Sequence, residues 1–145
     1  MKSHMTKFIW IIALLPTLAI AGYSFETPSP HPDWEPGVEA IRRSDWTSAI
    51  EHLKAVIRNE PENADAHNAL GLAYRQTKDI KSAMKHFREA LRLTPEHRSA
   101  HENIGEAYVV TGDLRKAKEH LATLRRLCTG CDELKTLENA VANRR

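Results

Sequence analysis

The sequence predicts an all-α protein in which three helix–turn–helix repeats stack as a short right-handed solenoid, closed by a C-terminal helix. Residues 64–97 align with residues 98–131 at an offset of 34 without a gap, and 11 of the aligned positions are identical. A further shift of 34 residues brings residues 45–61 into the same register. Aromatic residues make up only 6% of the chain and charged residues 28%, which favours helices over a sheet. A period of this length indicates units that bury their apolar faces against one another.

The N-terminal residues 1–21 predict a secretory signal peptide. Two lysines precede an apolar run over residues 8–19, and the small residues of the Ala-Ile-Ala motif at 19–21 follow. A retained membrane anchor is the alternative, but a run of 12 residues is shorter than the roughly 20 that a span needs. Pro16 also interrupts the run. We therefore expect cleavage after Ala21 and a periplasmic location.

Cleavage would change the charge balance of the chain. It would remove two lysines and no acid from the 21 basic and 19 acidic residues, leaving 19 of each. A net charge of zero offers no long-range field for nucleic acid or anionic lipid. We expect no nucleic-acid partner and, after cleavage, no membrane span. Residues 22–32 are rich in proline and polar residues, which predicts an extended linker.

Three repeats follow the linker, at residues 33–61, 64–97 and 98–131. The first is degenerate, since Pro36 stands in its leading helix at the position of Leu70. Small residues mark the places where paired helices approach to about 8–10 Å, and apolar residues recur at helical spacing between them. Three side chains are placed as N-caps of helices: Asn63, Asp79 and Asp113.

These residues resemble the tetratricopeptide-repeat (TPR) family, whose unit is a helix–turn–helix of this length. The resemblance covers about residues 33–131. The third repeat departs from the pattern near its end, where Leu124 and Thr129 replace a small residue and a proline. The second repeat carries the family pattern nearly whole, in Leu70, Gly71, Tyr74, Ala83, Phe87, Ala90 and Pro95. Members bind many unrelated partners, so the resemblance implies an interaction scaffold without naming what it binds.

Residues 132–145 predict a capping helix and tail. Leu134, Leu137 and Val141 recur at spacings of three and four, which produces one apolar face. A solenoid needs such a lid to cover its last repeat.

Cys128 and Cys131 span the turn between the last repeat and this lid. Haem attachment requires a histidine at position 132, where the chain has Asp132, and structural zinc requires four ligands that are lacking nearby. A disulfide and a redox couple remain. We favour the disulfide because export leads to an oxidising compartment, where it would add about 2 kcal/mol. Bacterial envelope TPR proteins that end in a cysteine pair and a short helix are similar.

Histidines recur with the repeat at positions 52, 86 and 120, and at 67 and 101. One helix layer, about 10 Å thick, separates equivalent side chains by too much for shared metal coordination. We interpret them as packing positions. The sequence also lacks a nucleophile–base signature or a phosphate-binding glycine loop. We expect no enzyme activity, no metal and no cofactor.

The TPR resemblance also implies a concave groove, lined by the first helix of each repeat, that takes an extended peptide or a partner helix. Members that grip a terminal carboxylate use basic and amide side chains there. Only Asn68 and Arg75 qualify here, while Glu102 and Glu106 would repel an anion. The groove positions carried over from the family are Asp65, Asn68, Leu72, Arg75, Gln76, Ser99, Glu102, Glu106, Val109 and Val110.

The predicted function is a non-enzymatic adaptor whose groove binds a partner segment with apolar and basic residues. An ordinary solvated surface is the alternative interpretation of the groove. A thiol–disulfide redox protein or sensor that uses Cys128 and Cys131 is the alternative function. Self-association through Trp34 and Trp46 of the imperfect first repeat is a third hypothesis.

Overall fold

The computed structural model describes residues 31–144, so the predicted signal peptide and nearly all of the predicted linker lie outside the described residues. The described part is all-helical, which confirms the predicted fold class of a short TPR solenoid with a capping helix. Its elements are α1 (Trp34–Arg42), α2 (Trp46–Asn59), α3 (Ala64–Gln76), α4 (Ile80–Leu93), α5 (Arg98–Thr111), α6 (Leu114–Leu127) and α7 (Asp132–Ala142).

Four aspartate and asparagine side chains start helices of the repeats. Each accepts a hydrogen bond from the backbone N–H three residues later, over 2.9–3.2 Å, which satisfies a donor that the helix itself leaves free. The three predicted caps are confirmed, and the first repeat supplies an equivalent one. The capping residues are Asp45, Asn63, Asp79 and Asp113.

The repeats stack so that two rows of helices form. The first helices α1, α3 and α5 contact one another in sequence, and α7 continues this inner row. The outer helices α2, α4 and α6 do not approach each other, because the first helix of the next repeat lies between them. A stack that is close-packed on one side and spread on the other curves toward the close-packed side. We call that concave side, between α3 and α5, the inner groove.

The capping helix packs where the first helix of a fourth repeat would lie. Leu137 is fully buried against α5 and α6, together with Leu124. The approach is so close that a Cβ at Gly105 would lie 2.5 Å from the Leu137 side chain. Glycine at that position of α5 is therefore what allows α7 to seal the end of the core.

Candidate functional site

Arg75 lies at the centre of the inner groove. Its guanidinium forms an ion pair with Glu106 and donates a hydrogen bond to Asn103 Oδ1 at 3.2 Å. Asn103 in turn donates to Asn68 Oδ1 at 3.1 Å, which ties α3 to α5. The Arg75 and Glu106 side chains are only 17% and 21% exposed. The predicted groove cation Arg75 is therefore already neutralised by a neighbouring carboxylate.

Glu102 is a half-buried carboxyl on the same face of α5. Burial and, to a smaller extent, the negative charges of Glu106 and Glu133 raise its pKa from the ordinary 4.5 to about 7, against the opposing charge of Arg75. Two of these neighbours come from other helices, since Arg75 lies on α3 and Glu133 on α7. A cation from a partner would favour the charged form of Glu102 and relieve the repulsion among the three carboxyls.

The remaining predicted groove residues differ in accessibility. Val110 is 55% exposed and lines a small cavity of about 100 Å³ with Arg75 and Gln76 at one end of the groove. Leu72 and Ser99 are half-buried. Asp65 is exposed at the other end of α3, with its Oδ1 3.0 Å from Nε2 of His97.

Val109, a predicted groove residue, does not lie on the surface of the inner groove. Its side chain is 5% exposed and packs in the cluster that α7 closes, with Leu134 and Leu137. Val109 stands 34 residues after Arg75, so its position would face a groove if another repeat followed. The capping helix fills that space instead, and the inner groove ends at α5.

Two groove residues were missed by the sequence reasoning. Asn103 is 7% exposed and joins Asn68 to Arg75, although the preceding repeat has an alanine, Ala69, at the same register. A polar residue on the buried side of an amphipathic helix was the available signal. Glu133 had no such signal, because only the docking of α7 brings it near Glu102.

The repeated histidines form pairs within each repeat. His67 Nδ1 lies 3.0 Å from His86 Nδ1, and His101 Nδ1 lies 2.9 Å from His120 Nδ1. The Nε2 atoms of His67 and His101 face the backbone carbonyl of the proline six residues earlier, at 3.1 and 2.9 Å. Because a carbonyl only accepts, Nε2 carries the proton there, and Nδ1 accepts from the partner histidine. Each pair thus joins the two helices of its repeat.

Burial disfavours the charged form of one histidine in each pair, His86 and His120. Burial, together with the charge of the facing histidine, lowers the pKa of His86 and of His120 from the ordinary 6.5 to about 4. In the first repeat Asp33 replaces the buried histidine and lies 2.8 Å from His52. Among the residues that the structure describes, no group of three or more histidine, cysteine or acidic side chains is arranged to hold a metal ion.

Cys128 and Cys131 flank the turn between α6 and α7. Cys128 follows the last residue of α6 and Cys131 precedes the first residue of α7, with their Sγ atoms 1.98 Å apart and their Cα atoms 5.9 Å apart. The Cα separation fits a disulfide. Gly130 occupies the left-handed region of the turn with φ of 80°, which glycine adopts without steric cost.

Two sequence profiles, both described as tetratricopeptide repeat, match residues 37–98 and 74–139. The chain therefore belongs to the tetratricopeptide-repeat family, a class whose fold is a scaffold for protein interactions. A comparison with curated proteins found no significant match. Within residues 31–144, no helix has both the length and the apolar content that crossing a membrane requires.

Solved structures share the fold at low sequence identity. The chain is similar to the Sgt2 TPR domain from Aspergillus fumigatus (22% identity, TM-score 0.72, covering 81% of this chain and 80% of that one). It is also similar to the TPR2B domain of yeast Sti1 in a complex with pHsp70 (19% identity, TM-score 0.71, covering 78% of this chain and 95% of that one). A third similar structure is the second TPR domain of human RPAP3 in complex with the HSP70 peptide SGPTIEEVD (22% identity, TM-score 0.68, covering 76% of this chain and 92% of that one).

Proposed function

We propose that this protein is a non-enzymatic adaptor of the cell envelope that binds a basic and apolar segment of another protein in the inner groove. The observation that carries the proposal is the charge arrangement around Arg75. Glu106 neutralises its guanidinium, and Glu102 and Glu133 leave an excess of carboxyl groups beside it. A lysine or arginine of the partner would neutralise that excess.

The apolar part of the partner would bind at the exposed end of the groove. Val110 is the most exposed large apolar residue there, and Leu72 is half-buried on the neighbouring helix. The peptide in the human RPAP3 complex, SGPTIEEVD, is acidic. The groove of this chain has the opposite charge preference, so we propose the same kind of site with a different ligand chemistry.

Fluorescence anisotropy with two labelled peptides tests this proposal. One peptide is Ser-Lys-Leu-Gly-Arg-Leu-Lys-Ser, and the other carries glutamate at each basic position. We expect the basic peptide to bind at least about tenfold more tightly than the acidic one at the inner groove, a difference of about 1.4 kcal/mol. Glu102→Lys should abolish this preference, while Glu96→Lys, in the exposed turn before α5, should preserve it. Equal binding of the basic peptide by both variants would overturn the proposal.

We further propose that Cys128 and Cys131 form a structural disulfide that tethers α7 to the last repeat. A redox function has one observation in its favour, since Cys131 sits at a helix N-terminus, where a thiolate is stabilised. The reduction potential separates the two functions. A value below about −300 mV supports the tether, and a value near −200 mV supports a working redox couple.

Export and a periplasmic location are also proposed, on the basis of the N-terminal sequence. Fractionation of cells that express the full chain, followed by N-terminal sequencing of the mature protein, tests both. A mature protein that begins at Gly22 in the periplasmic fraction supports the proposal. A full-length protein in the cytosol contradicts it.

A further inference from the structure

The two rows of helices carry opposite charge. The outer helices α2, α4 and α6 contain eleven basic and three acidic residues, a net charge of +8. The inner row with α7 contains four basic and eight acidic residues, a net charge of −4. The near-neutral total charge of the chain therefore conceals a basic outer face opposite the acidic inner groove.

A cavity of about 390 Å³ lies on this outer face, between α2 and α4. We call it the outer trough. Because α2 and α4 do not approach each other, its floor is provided by α3. The residues that define the outer trough are the cations Lys54, Arg58 and Lys85 and the apolar side chains of Ile57, Leu70 and Tyr74.

Within residues 31–144, the cations of the outer trough form no ion pair. Other cations of the outer helices form ion pairs, such as Arg92 with Glu89 and Arg115 with Glu119. Among the residues that the structure describes, no acidic group lies within ion-pair distance of Lys54, Arg58 or Lys85. Lys54 Nζ instead lies 5.7 Å from the centre of the Tyr74 ring. Three like charges around one recess repel each other, and an anion placed among them would relieve that repulsion.

The next repeat provides an internal comparison. In the equivalent space between α4 and α6, the register of 34 places Glu119 where the outer trough has Lys85. It also places Arg92 where the outer trough has Arg58, and Arg92 is neutralised by Glu89. Unpaired positive charge is therefore concentrated in the outer trough between α2 and α4, and not in the equivalent space between α4 and α6.

We propose that the outer trough binds an acidic segment of a partner protein. Its carboxylates would meet Lys54, Arg58 and Lys85, and one apolar side chain would pack on Ile57 and Tyr74, which are half-buried. A recess of about 390 Å³ with an apolar floor accommodates one or two side chains. A flat anionic membrane would reach the cations at the rim and leave that floor unused. The outer trough is separate from the inner groove and prefers the opposite charge, so the chain has two binding faces.

Anisotropy with the labelled peptide Ser-Asp-Phe-Glu-Leu-Asp-Ser tests the proposal. We expect saturable binding and NMR shift changes at Tyr74 and Leu70. The variant Lys54→Gln/Arg58→Gln/Lys85→Gln should bind at least about tenfold more weakly, about 1.4 kcal/mol. The control Arg115→Gln/Lys118→Gln/Arg126→Gln removes three charges from α6 and should change affinity less than about twofold.

Circular dichroism should show that both triple variants fold, since all six replaced side chains are exposed. Equal weakening by the two variants would overturn the proposal, because it would indicate attraction to net charge alone. Lack of saturation at about 1 mM peptide would also overturn it. Binding to phosphatidylglycerol vesicles without binding to the peptide would assign the face to a membrane and equally refute it. Shift changes at Leu70 and Tyr74 without changes at Val110 would place the peptide in the outer trough, whereas changes at Val110 alone would place it in the inner groove and overturn the proposal.

Discussion

Replacing Glu102 by glutamine should stabilise the protein at pH 8 and leave its stability nearly unchanged at pH 4. The substitution preserves the size of the side chain and removes a charge that burial, Glu106 and Glu133 disfavour. The folded pKa of about 7 lies above the ordinary 4.5, so between these values the folded state binds a proton that the unfolded state releases. Stability from this group is therefore complete below pH 4.5 and is lost as pH rises through 7.

The size of the effect follows from the difference between the two pKa values. Each pKa unit corresponds to about 1.4 kcal/mol, so the rise from 4.5 to about 7 sets a ceiling of about 3 kcal/mol. Glu102 is partly exposed, and solvent screening reduces this to about 1–2 kcal/mol. We expect Glu102→Gln to exceed the natural protein in free energy of unfolding by that amount at pH 8.

Urea denaturation of both proteins at several pH values between 4 and 8 measures this difference. Because the two proteins differ only at Glu102, groups that titrate alike in both, such as the histidine pairs, cancel in the difference between their free energies of unfolding. Glu96→Gln serves as the control, since its carboxyl is exposed in the turn before α5. A Glu102→Gln variant that is less stable at pH 8, or equally more stable at pH 4 and pH 8, would refute the reasoning.

Three further predictions concern the rest of the fold. Leu137→Ala should lower the free energy of unfolding, measured by urea denaturation, by about 2–4 kcal/mol, because this fully buried side chain packs α7 onto the last repeat. A loss below about 1 kcal/mol would contradict the role of α7 as a capping helix. In the Glu102→Gln variant, the free energy of unfolding should fall as pH decreases from 6.5 toward 4. The loss should be about 1 kcal/mol for each of His86 and His120 after solvent screening, because the unfolded state binds protons that the folded state does not. A free energy of unfolding that stays constant over this pH range would contradict the lowered pKa of these two histidines. Lys78 has φ of 69° where the next repeat has Gly112, so Lys78→Gly should raise the free energy of unfolding by about 0.5–1 kcal/mol; a decrease would contradict strain there.

The repeats were predictable because their signals are local. The N-caps act on backbone groups three residues away, and the apolar spacing is set by one helix turn. Because the repeats align at an offset of 34 residues, a structural assignment made in one repeat could be transferred to the next. The same reasoning failed at Val109, because the register treats every repeat as if another followed. It also failed to anticipate Asn103, which departs from the register and completes the Arg75 network.

The amino-acid sequence by itself determined the helices, their order and the capping helix, since all three depend on period, caps and one apolar stripe. Only the tertiary structure decided which charges meet. Arg75 and Glu106 are 31 residues apart, and the paired histidines are 19 residues apart. The same packing separated a nearly neutral chain into an acidic groove and a basic outer face. Electrostatic interactions depend on distance and burial, and both arise only when helices from different repeats pack together.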